Sequence, residues 1–381
     1  MRLNIRNIVY ILPMETGSHY YGILTLCRML GIRGDVAGKI AYASQFVDDA
    51  LIRKIVFKHT PHGIRCHIFG KKRGLEHTAT CPRIMTVWNY RPRVMIEELV
   101  PFHFIPAGRG KNFREKIRTF PDSPLLKNLT EAAIQSGNIY QMGIILHVFS
   151  DAHAHQGFSG MISRRNRLKA LKVKKDTIRG FNERFLNYYM IYVDAFITRF
   201  FGRFLPIYSH SHAGTLPDIA SAEWEYHYDT GQYFLARYRH SGKISNPERF
   251  RNAFEEMKEL LIAFAGKRPD ILETKPDFQD YEAFYRILTQ PMSAKESSGI
   301  WQQFLLRTGL LEDGDPVLLY NPQDWLQKAF RNYGKRRFSR RIVSKAEAAK
   351  DFIHSDWYAF YLASREYKEH YDRLITLNRI Y

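Results

Sequence analysis

The chain has 381 residues, of which 45% are hydrophobic and 14% aromatic. It is therefore long enough to bury a substantial core, and its composition excludes the weakly hydrophobic, disordered class. Lys and Arg number 57 against 38 Asp and Glu, and the formal net charge of +19 favours phosphate-rich partners such as nucleic acid or lipid headgroups.

The cysteine content and the hydropathy pattern bear on the compartment. Three cysteines, Cys27, Cys66 and Cys81, have no paired spacing, which argues against a disulfide scaffold and against a four-thiolate zinc site. This count fits a reducing compartment, and we expect a cytoplasmic protein. The longest apolar stretch near the N-terminus covers residues 8–13, far fewer than the roughly 20 residues of a spanning helix. We therefore expect a soluble chain without a transmembrane segment or a signal peptide.

Apolar residues at three- and four-residue intervals predict two helices near the N-terminus, over residues 18–31 and 35–57. Residues 58–92 hold Gly and Pro around short β-branched and aromatic runs, which predicts a loop with one hairpin. Helical periodicity returns at residues 123–158, and further helices are predicted at residues 176–203, 246–266, 278–290, 296–308, 322–332 and 344–376. Few segments alternate with a period of two, so the predicted fold class is mainly α.

A long helical segment at residues 138–158 carries a candidate metal site. His147, Asp151 and His155 stand at i, i+4 and i+8, and such positions drift only about 80° around a helix. The intervening residues are apolar, so the helix should be buried, and a buried carboxylate between imidazoles needs a compensating charge. We predict a metal ion, with zinc as the best match and manganese or iron as alternatives. A hydrogen-bonded polar triad without metal is the competing interpretation. His153 points to another side of this helix.

Further donors lie at the ends of the first two predicted helices. His19 opens the first helix, and Asp48 with Asp49 ends the apolar face of the second. Two adjacent carboxylates at a helix C-terminus oppose the helix dipole, and such a locally unfavourable choice hints at function. A solvated helix end is the alternative for both aspartates.

Loops and short segments supply the remaining candidates. His103 lies in PFHFIP, where an exposed imidazole would be unusual and a core histidine is the alternative. His212 and Asp218 lie in the turn-like segment SHSHAGTLPD, in which His210 is the weaker candidate. His77 is the first choice among the histidines of the loop at residues 58–92.

Five motifs carry a family resemblance: HYYGILTLCRMLGI, IAYASQFVDDA, PFHFIP, MGIILHVFSDAHAHQGFSG and SHAGTLPDIASAEWEY. They occur in the order seen in an uncharacterised bacterial family of domains of unknown function, which the chain resembles over roughly residues 15–230. That family is in turn distantly similar to the zinc-dependent phospholipase C and single-strand-specific nuclease superfamily. The resemblance implies a multi-helix bundle that holds up to three zinc ions and cleaves phosphodiester bonds.

The resemblance also implies a set of metal ligands, with Asp151 as the bridging carboxylate: His19, Asp48, His147, Asp151, His155 and His212. The hydrolases have a glutamate four residues after the last histidine, where this chain has Leu216. Asp218 or Glu223 would have to substitute for that glutamate.

These observations predict an α-helical metal-site domain at residues 14–230, with an N-terminal extension at residues 1–13. A helical C-terminal region at residues 231–381 either packs on that domain or forms a second one. The expected function is hydrolysis of phosphodiester bonds in nucleic acid or phospholipid by a metal-dependent enzyme, in which Asp48 or Asp49 orients or deprotonates water. The alternative is a non-catalytic, metal-stabilised scaffold whose basic surface binds nucleic acid or a protein partner.

Basic charge is densest at residues 164–175 and 335–341, outside the candidate ligands. Each segment fits either a solvated surface or a phosphate-binding patch that recruits a substrate or partner. The sequence leaves the oligomeric state open.

Overall fold

The computed structural model describes residues 16–82, 91–161, 168–178, 213–228, 242–274, 276–334 and 340–380, together with residues 163, 166, 210 and 338. Helices dominate this part of the chain, and two small sheets accompany them. The prediction of a mainly α protein is therefore confirmed. None of the described helices has the length and apolar character needed to cross a membrane.

The α-helices are α1 (Ile23–Met29), α2 (Gly34–Asp49), α3 (Pro92–Val94), α4 (Val100–His103), α5 (Phe113–Lys116), α6 (Pro124–Ser136), α7 (Ile139–Ala154), α8 (Asn246–Lys267), α9 (Tyr281–Thr289), α10 (Ala294–Arg307), α11 (Asp324–Ala329) and α12 (Asp356–Leu377). A π-helical segment, Gly17–Gly22, leads directly into α1. A second one, Met95–Leu99, joins α3 to α4. The predicted helix at residues 18–31 therefore exists, but its first turns are wider than an α-helix.

The strands are β1 (Lys54–Phe57), β2 (His67–Phe69), β3 (Lys72–Glu76), β4 (Leu168–Val173), β5 (Glu223–Tyr228), β6 (Gly242–Ser245) and β7 (Ile342–Ala346). Four of them form a sheet in the order β2-β3-β1-β7, and the other three form an antiparallel sheet in the order β4-β5-β6. The hairpin of β2 and β3 confirms the one predicted within residues 58–92.

Helix α7 is the central element of the fold. Asn138 caps its start, because the side-chain oxygen accepts hydrogen bonds from the backbone N–H groups of Tyr140 and Gln141. The preceding helix, α6, ends at Gly137, whose φ of 63° splits the predicted segment at residues 123–158 into two helices. Every residue of α7 from Gln141 onward is buried. Helices α2, α6, α8 and α12 pack around it.

Two predicted helices are wrong in part. The helix predicted at residues 35–57 ends at Asp49, and residues 54–57 form β1 instead. The helix predicted at residues 344–376 begins only at Asp356, because residues 342–346 form β7, which pairs with β1 in parallel. Helices α8 to α11 match the predictions between residues 246 and 332. Most of the helix predicted at residues 176–203 lies outside the described residues.

The main apolar core combines residues from both sides of residue 230. Phe46 on α2 contacts the rings of Trp325 on α11 and Phe360 on α12, with centroids 5.3 and 5.1 Å apart. The helices of the C-terminal region thus pack on the helices that carry the candidate ligands. The division into domains at residue 230 stays a prediction, and residues 1–13 lie outside the described part of the chain.

Candidate metal centre

Asp151 on α7 lies at the centre of a cluster of buried histidines. Its Oδ1 is 3.3 Å from Nε2 of His19. Its Oδ2 is 3.0 Å from Nδ1 of His103 and 3.3 Å from Nε2 of His147. All four side chains are buried. Both oxygens of one carboxylate therefore face imidazoles, an arrangement that suits a carboxylate shared between metal ions.

Among the described residues, the side chains around this carboxylate form three groups, and within each group the donor atoms lie within 4.8 Å of one another. The groups are His19 with His147 and Asp151, Asp48 with Cys81 and His103, and His155 with His210 and Asp218. We call them the first, second and third groups below.

Regular helix geometry positions most of the first group. His147 and Asp151 stand four residues apart on α7 and point in the same direction. His19 comes from the π-helical segment, and its ring stacks on that of His147 with the centroids 4.0 Å apart. The predicted convergence of His19, His147 and Asp151 is thus present in the structure.

The third group is built where α7 ends. His155 follows the last residue of α7, and its backbone N–H donates to the Asp151 carbonyl oxygen at 2.8 Å. Its side chain places Nδ1 2.9 Å from the carbonyl oxygen of His103 and Nε2 2.8 Å from Oδ1 of Asp218. Nδ1 of His210 lies 2.7 Å from the carbonyl oxygen of Gly214. In His210 a protonated Nδ1 can donate to the Gly214 carbonyl, which leaves the lone pair of Nε2 for a metal, as is usual for metal-bound histidine. In His155 both ring nitrogens face oxygen atoms, so a metal would take the place of the proton on Nε2.

Hydrogen bonding tests whether these residues suit a metal. Both ring nitrogens of His19, Nδ1 of His147 and Oδ1 of Asp151 are buried and have no hydrogen-bond partner among the described residues. Each such orphan costs about 1–3 kcal/mol. A cation between Nε2 of His19 and Oδ1 of Asp151, which face each other at 3.3 Å, would give both of these atoms a partner, so the donor set fits a metal ion.

Distances give a second test. The ligands of a tetrahedral zinc ion, at bond lengths of about 2.0–2.2 Å, lie about 3.3–3.6 Å apart. The donor atoms around Asp151 are 3.0–3.3 Å from its oxygens, and Oδ1 of Asp48 is 3.7 Å from His103 and 3.9 Å from His147. These separations bracket those of zinc ligands, and the shortest, 3.0 Å between Nδ1 of His103 and Oδ2 of Asp151, is also the length of a hydrogen bond.

The electrostatic environment favours the metal-binding protonation states of His147 and Asp151, whereas the raised pKa values of His155 and Asp48 oppose theirs. Burial and, to a smaller extent, the neighbouring His19 lower the pKa of His147 to about 3, so the imidazole is neutral at physiological pH. Burial disfavours the carboxylate of Asp151, but the surrounding histidines outweigh it and hold its pKa well below the ordinary value. For His155, the charges of Asp151 and Asp218 outweigh burial and raise the pKa. Neutral imidazoles and carboxylates are the ligand forms of these residues.

Seven of the eight predicted metal ligands belong to the three groups: His19, Asp48, His103, His147, Asp151, His155 and Asp218. The eighth, His212, lies outside the described residues. Glu223 was the other candidate to replace the glutamate that the zinc hydrolases have after their last histidine. It instead forms an ion pair with Lys174 at 2.9 Å.

Asp49, predicted as a catalytic residue beside Asp48, lies apart from the three groups. Its Oδ2 accepts a hydrogen bond of 2.6 Å from the hydroxyl group of Tyr320. Burial raises its pKa to about 6. A catalytic role for Asp49 stays a prediction.

Two members of the groups were missed or ranked low by sequence reasoning. Cys81 belongs to the second group, although the loop histidine expected to complete the site was His77, which is exposed. His210, ranked below His212, belongs to the third group. One feature of the sequence could have identified His210 as a ligand: it stands eight residues before Asp218 in the same turn-like segment.

The basic segments are described only in part. Lys172 and Lys174 form ion pairs with Glu225 and Glu223 across β4 and β5, each at 2.9 Å. Arg341 forms an ion pair with the buried Glu98. These three cations are therefore engaged within the fold, and several of the other basic residues of the two segments lie outside the described part of the chain.

Fold and cluster together define a mainly helical protein with a buried centre of histidine and aspartate donors. The model of a family of unknown function, DUF6765, matches residues 14–375, and the chain belongs to this family. The match extends well beyond residue 230, where the resemblance based on motifs ends. No curated protein and no solved structure matches the chain, so these comparisons add no support to the resemblance to the zinc hydrolases.

Proposed function

We propose that this protein is a metal-dependent hydrolase of phosphodiester bonds, in nucleic acid or phospholipid, that binds one to three zinc ions. Manganese and iron are the alternative metals. The observation that carries the proposal is the convergence of five imidazoles and two further carboxylates around Asp151. Several of their buried polar atoms lack a hydrogen-bond partner within the described residues. Such a set of donors is typical of a zinc centre.

In this proposal a bound zinc ion supplies Lewis acidity towards a phosphoryl oxygen and towards water. Asp151, His19 and His147 would hold the ion in a fixed position, since all three side chains are buried on helical segments. Asp48 keeps 10% of its side chain exposed, whereas Asp151 keeps 2%. A proton taken up by Asp48 therefore has a shorter path to solvent.

Asp48 is our candidate for the group that orients or deprotonates the attacking water. Burial raises its pKa well above the ordinary value, although the charge of His103 opposes this effect. One oxygen of this carboxylate can bind the metal while the other accepts a hydrogen bond from the attacking water. Asp49 is engaged by Tyr320 and is therefore the weaker candidate. The net charge of +19 would attract an anionic substrate.

The proposed multi-helix bundle follows the distant resemblance to the zinc-dependent phospholipase C and nuclease superfamily. Its support is the use of one central helix, α7, for both a histidine ligand and the shared carboxylate. The early histidine of that superfamily corresponds to His19, which contacts this pair.

The test combines metal analysis with turnover. Purified protein should contain stoichiometric metal by elemental analysis and should hydrolyse bis-p-nitrophenyl phosphate in a reaction that chelation abolishes and zinc restores. Asp151→Asn should lose both the metal and the turnover. The matched control is His153→Asn, because His153 lies on the same helix but its Nε2 faces Glu256 at 3.8 Å. Wild-type protein that binds no metal would overturn the proposal.

The second candidate is a non-catalytic metal scaffold whose basic surface binds nucleic acid or a protein partner. The almost complete burial of His19, His147 and Asp151 favours it, since structural zinc sites are closed and catalytic ones keep an open position. Stoichiometric metal without turnover, together with salt-dependent binding of nucleic acid, would support the scaffold.

A further inference from the structure

We propose that Cys81 is a thiolate ligand of the centre and binds a metal ion together with Asp48 and His103. This inference rests on the proposed function, because it adds a ligand to the same centre. It changes the chemistry of the second group from nitrogen and oxygen donors alone to a mixed set that includes sulfur.

The position of Cys81 is determined by buried backbone contacts. Its neighbour Thr80 is buried, and the Thr80 hydroxyl donates to the carbonyl oxygen of Val47 at 2.6 Å. The backbone N–H of Thr80 donates to the carbonyl oxygen of Ala50 at 3.0 Å. Val47 and Ala50 flank Asp48 on either side. These hydrogen bonds attach the loop that carries Cys81 to the end of α2. They thereby place the Cys81 thiol beside the carboxylate of Asp48.

The geometry of the second group suits one ion. The donor atoms of Asp48, Cys81 and His103 lie within 4.8 Å of one another, and Nδ1 of His103 is 3.7 Å from Oδ1 of Asp48. Zinc bonds of about 2.3 Å to sulfur and about 2.0–2.1 Å to nitrogen place tetrahedral ligands roughly 3.3–3.7 Å apart. An inward movement of the thiol by at most about 1 Å would bring these three ligands to tetrahedral distances and would leave the fourth position open.

A second, independent observation points to a ligand here. His103 is 5% exposed, and its Nε2 is buried without a hydrogen-bond partner in the described part of the chain. The described contact of the Cys81 sulfur is weak, a distance of 3.7 Å to the carbonyl oxygen of Pro82. Little in the fold therefore competes with a cation for the Cys81 sulfur, whereas Nδ1 of His103 is shared with Oδ2 of Asp151 at 3.0 Å.

The ligand chemistry restricts the metal. Thiolate with imidazole and carboxylate suits zinc and cobalt, whereas magnesium and calcium prefer oxygen donors alone. On binding, the thiol releases its proton to solvent as the sulfur–metal bond forms. The second group should therefore select zinc over the harder divalent cations.

Cobalt substitution tests the proposal, because a thiolate bound to cobalt gives a charge-transfer band in the near ultraviolet. Cobalt-loaded wild-type protein should show this band. Cys81→Ser should lose it and bind one cobalt ion fewer, while Cys66→Ser should match the wild type, since Cys66 is not a member of the three groups. Cys81→His, which keeps a side chain able to bind metal, should retain the ion without the band.

Alkylation of the unmodified protein provides a readout that does not depend on the folding of any variant. At a zinc concentration 100 times the Kd, Cys81 should react about 100-fold more slowly with iodoacetamide, as mapped by mass spectrometry. The rate at Cys66 should not change. Bound cobalt without the band, or equal alkylation of Cys81 with and without zinc, would overturn this inference and leave the proposed function standing. Wild-type protein that binds no cobalt and no zinc would overturn both.

Discussion

The contact between α2 and α7 determines the separation of Asp48 and Asp151, and Gly143 allows that contact to be close. A Cβ atom at this position would lie 2.4 Å from the carbonyl oxygen of Ile40 and 2.6 Å from Cβ of Ala43. Ordinary contacts begin near 3.4 Å, so α7 would have to move away by about 1 Å. The obstructing oxygen belongs to the backbone and cannot rotate aside.

We predict that Gly143→Ala lowers the free energy of unfolding by about 2 kcal/mol. Overpacking of a core costs about 1–3 kcal/mol, and a clash with a helix backbone lies at or above the upper end of that range. The higher helix propensity of Ala offsets about 1 kcal/mol of this cost. A movement of about 1 Å also exceeds the tolerance of about 0.2 Å in metal–ligand distances, so the metal content should fall as well.

Thermal unfolding and elemental analysis measure both effects. The matched control is Gly299→Ala on α10, where the added Cβ would have no neighbour within 4 Å in the described structure. That variant should be as stable as the wild type or more stable by up to about 1 kcal/mol. If Gly143→Ala matched the control in both stability and metal content, the close approach of α2 and α7 would not position the ligands.

Three further predictions concern other parts of the centre and its support. Asn246 accepts a hydrogen bond from the Trp224 indole at 3.1 Å and donates to the carbonyl oxygens of residues 216 and 219 at 2.6 and 2.8 Å. Asn246→Ala should therefore cost about 3 kcal/mol in denaturant unfolding and loosen the third group, and an unchanged midpoint would contradict this. Arg341→Met removes one of the cations beside the buried Glu98 and should lower the free energy of unfolding by about 3 kcal/mol at pH 8. Because burial raises the pKa of Glu98 in the folded state, the protonated form stabilises the fold, and the loss should be smaller at pH 5 and grow as the pH rises. Equal losses at the two pH values would refute that reasoning. Chelation should lower the Tm of the wild type, since metal at 100 times its Kd stabilises by about 2.7 kcal/mol, but should not change the Tm of Asp151→Asn.

The nucleus of the site could be predicted because a helix repeats regularly. His147 and Asp151 stand four residues apart on α7, so helical periodicity alone brings them to one face, whereas His155 follows the end of the helix and belongs to the third group. Cys81 could not be found in this way. Its place depends on the hydrogen bonds of Thr80 to the end of α2, which no local pattern records.

The predicted ends of the helices show the same limit of local sequence patterns. Residues 54–57 have helical periodicity, yet they form β1 because Ile55 pairs with Val343, nearly 290 positions further along the chain. Periodicity describes only neighbours in sequence, whereas strand pairing is decided by distant residues. The prediction of mainly α structure was unaffected, since the strands are short.

The two π-helical segments have a consequence for the comparison of relatives. A π turn closes its hydrogen bond over one residue more than an α turn. Residues on the two sides of such a segment are therefore out of phase by one position, or about 100° around the helix axis. His19 lies within Gly17–Gly22, and His103 follows Met95–Leu99. A relative with one residue fewer in either segment could keep both histidines in place, so a one-residue gap in an alignment there would mark a change of helical register and not the loss of a ligand.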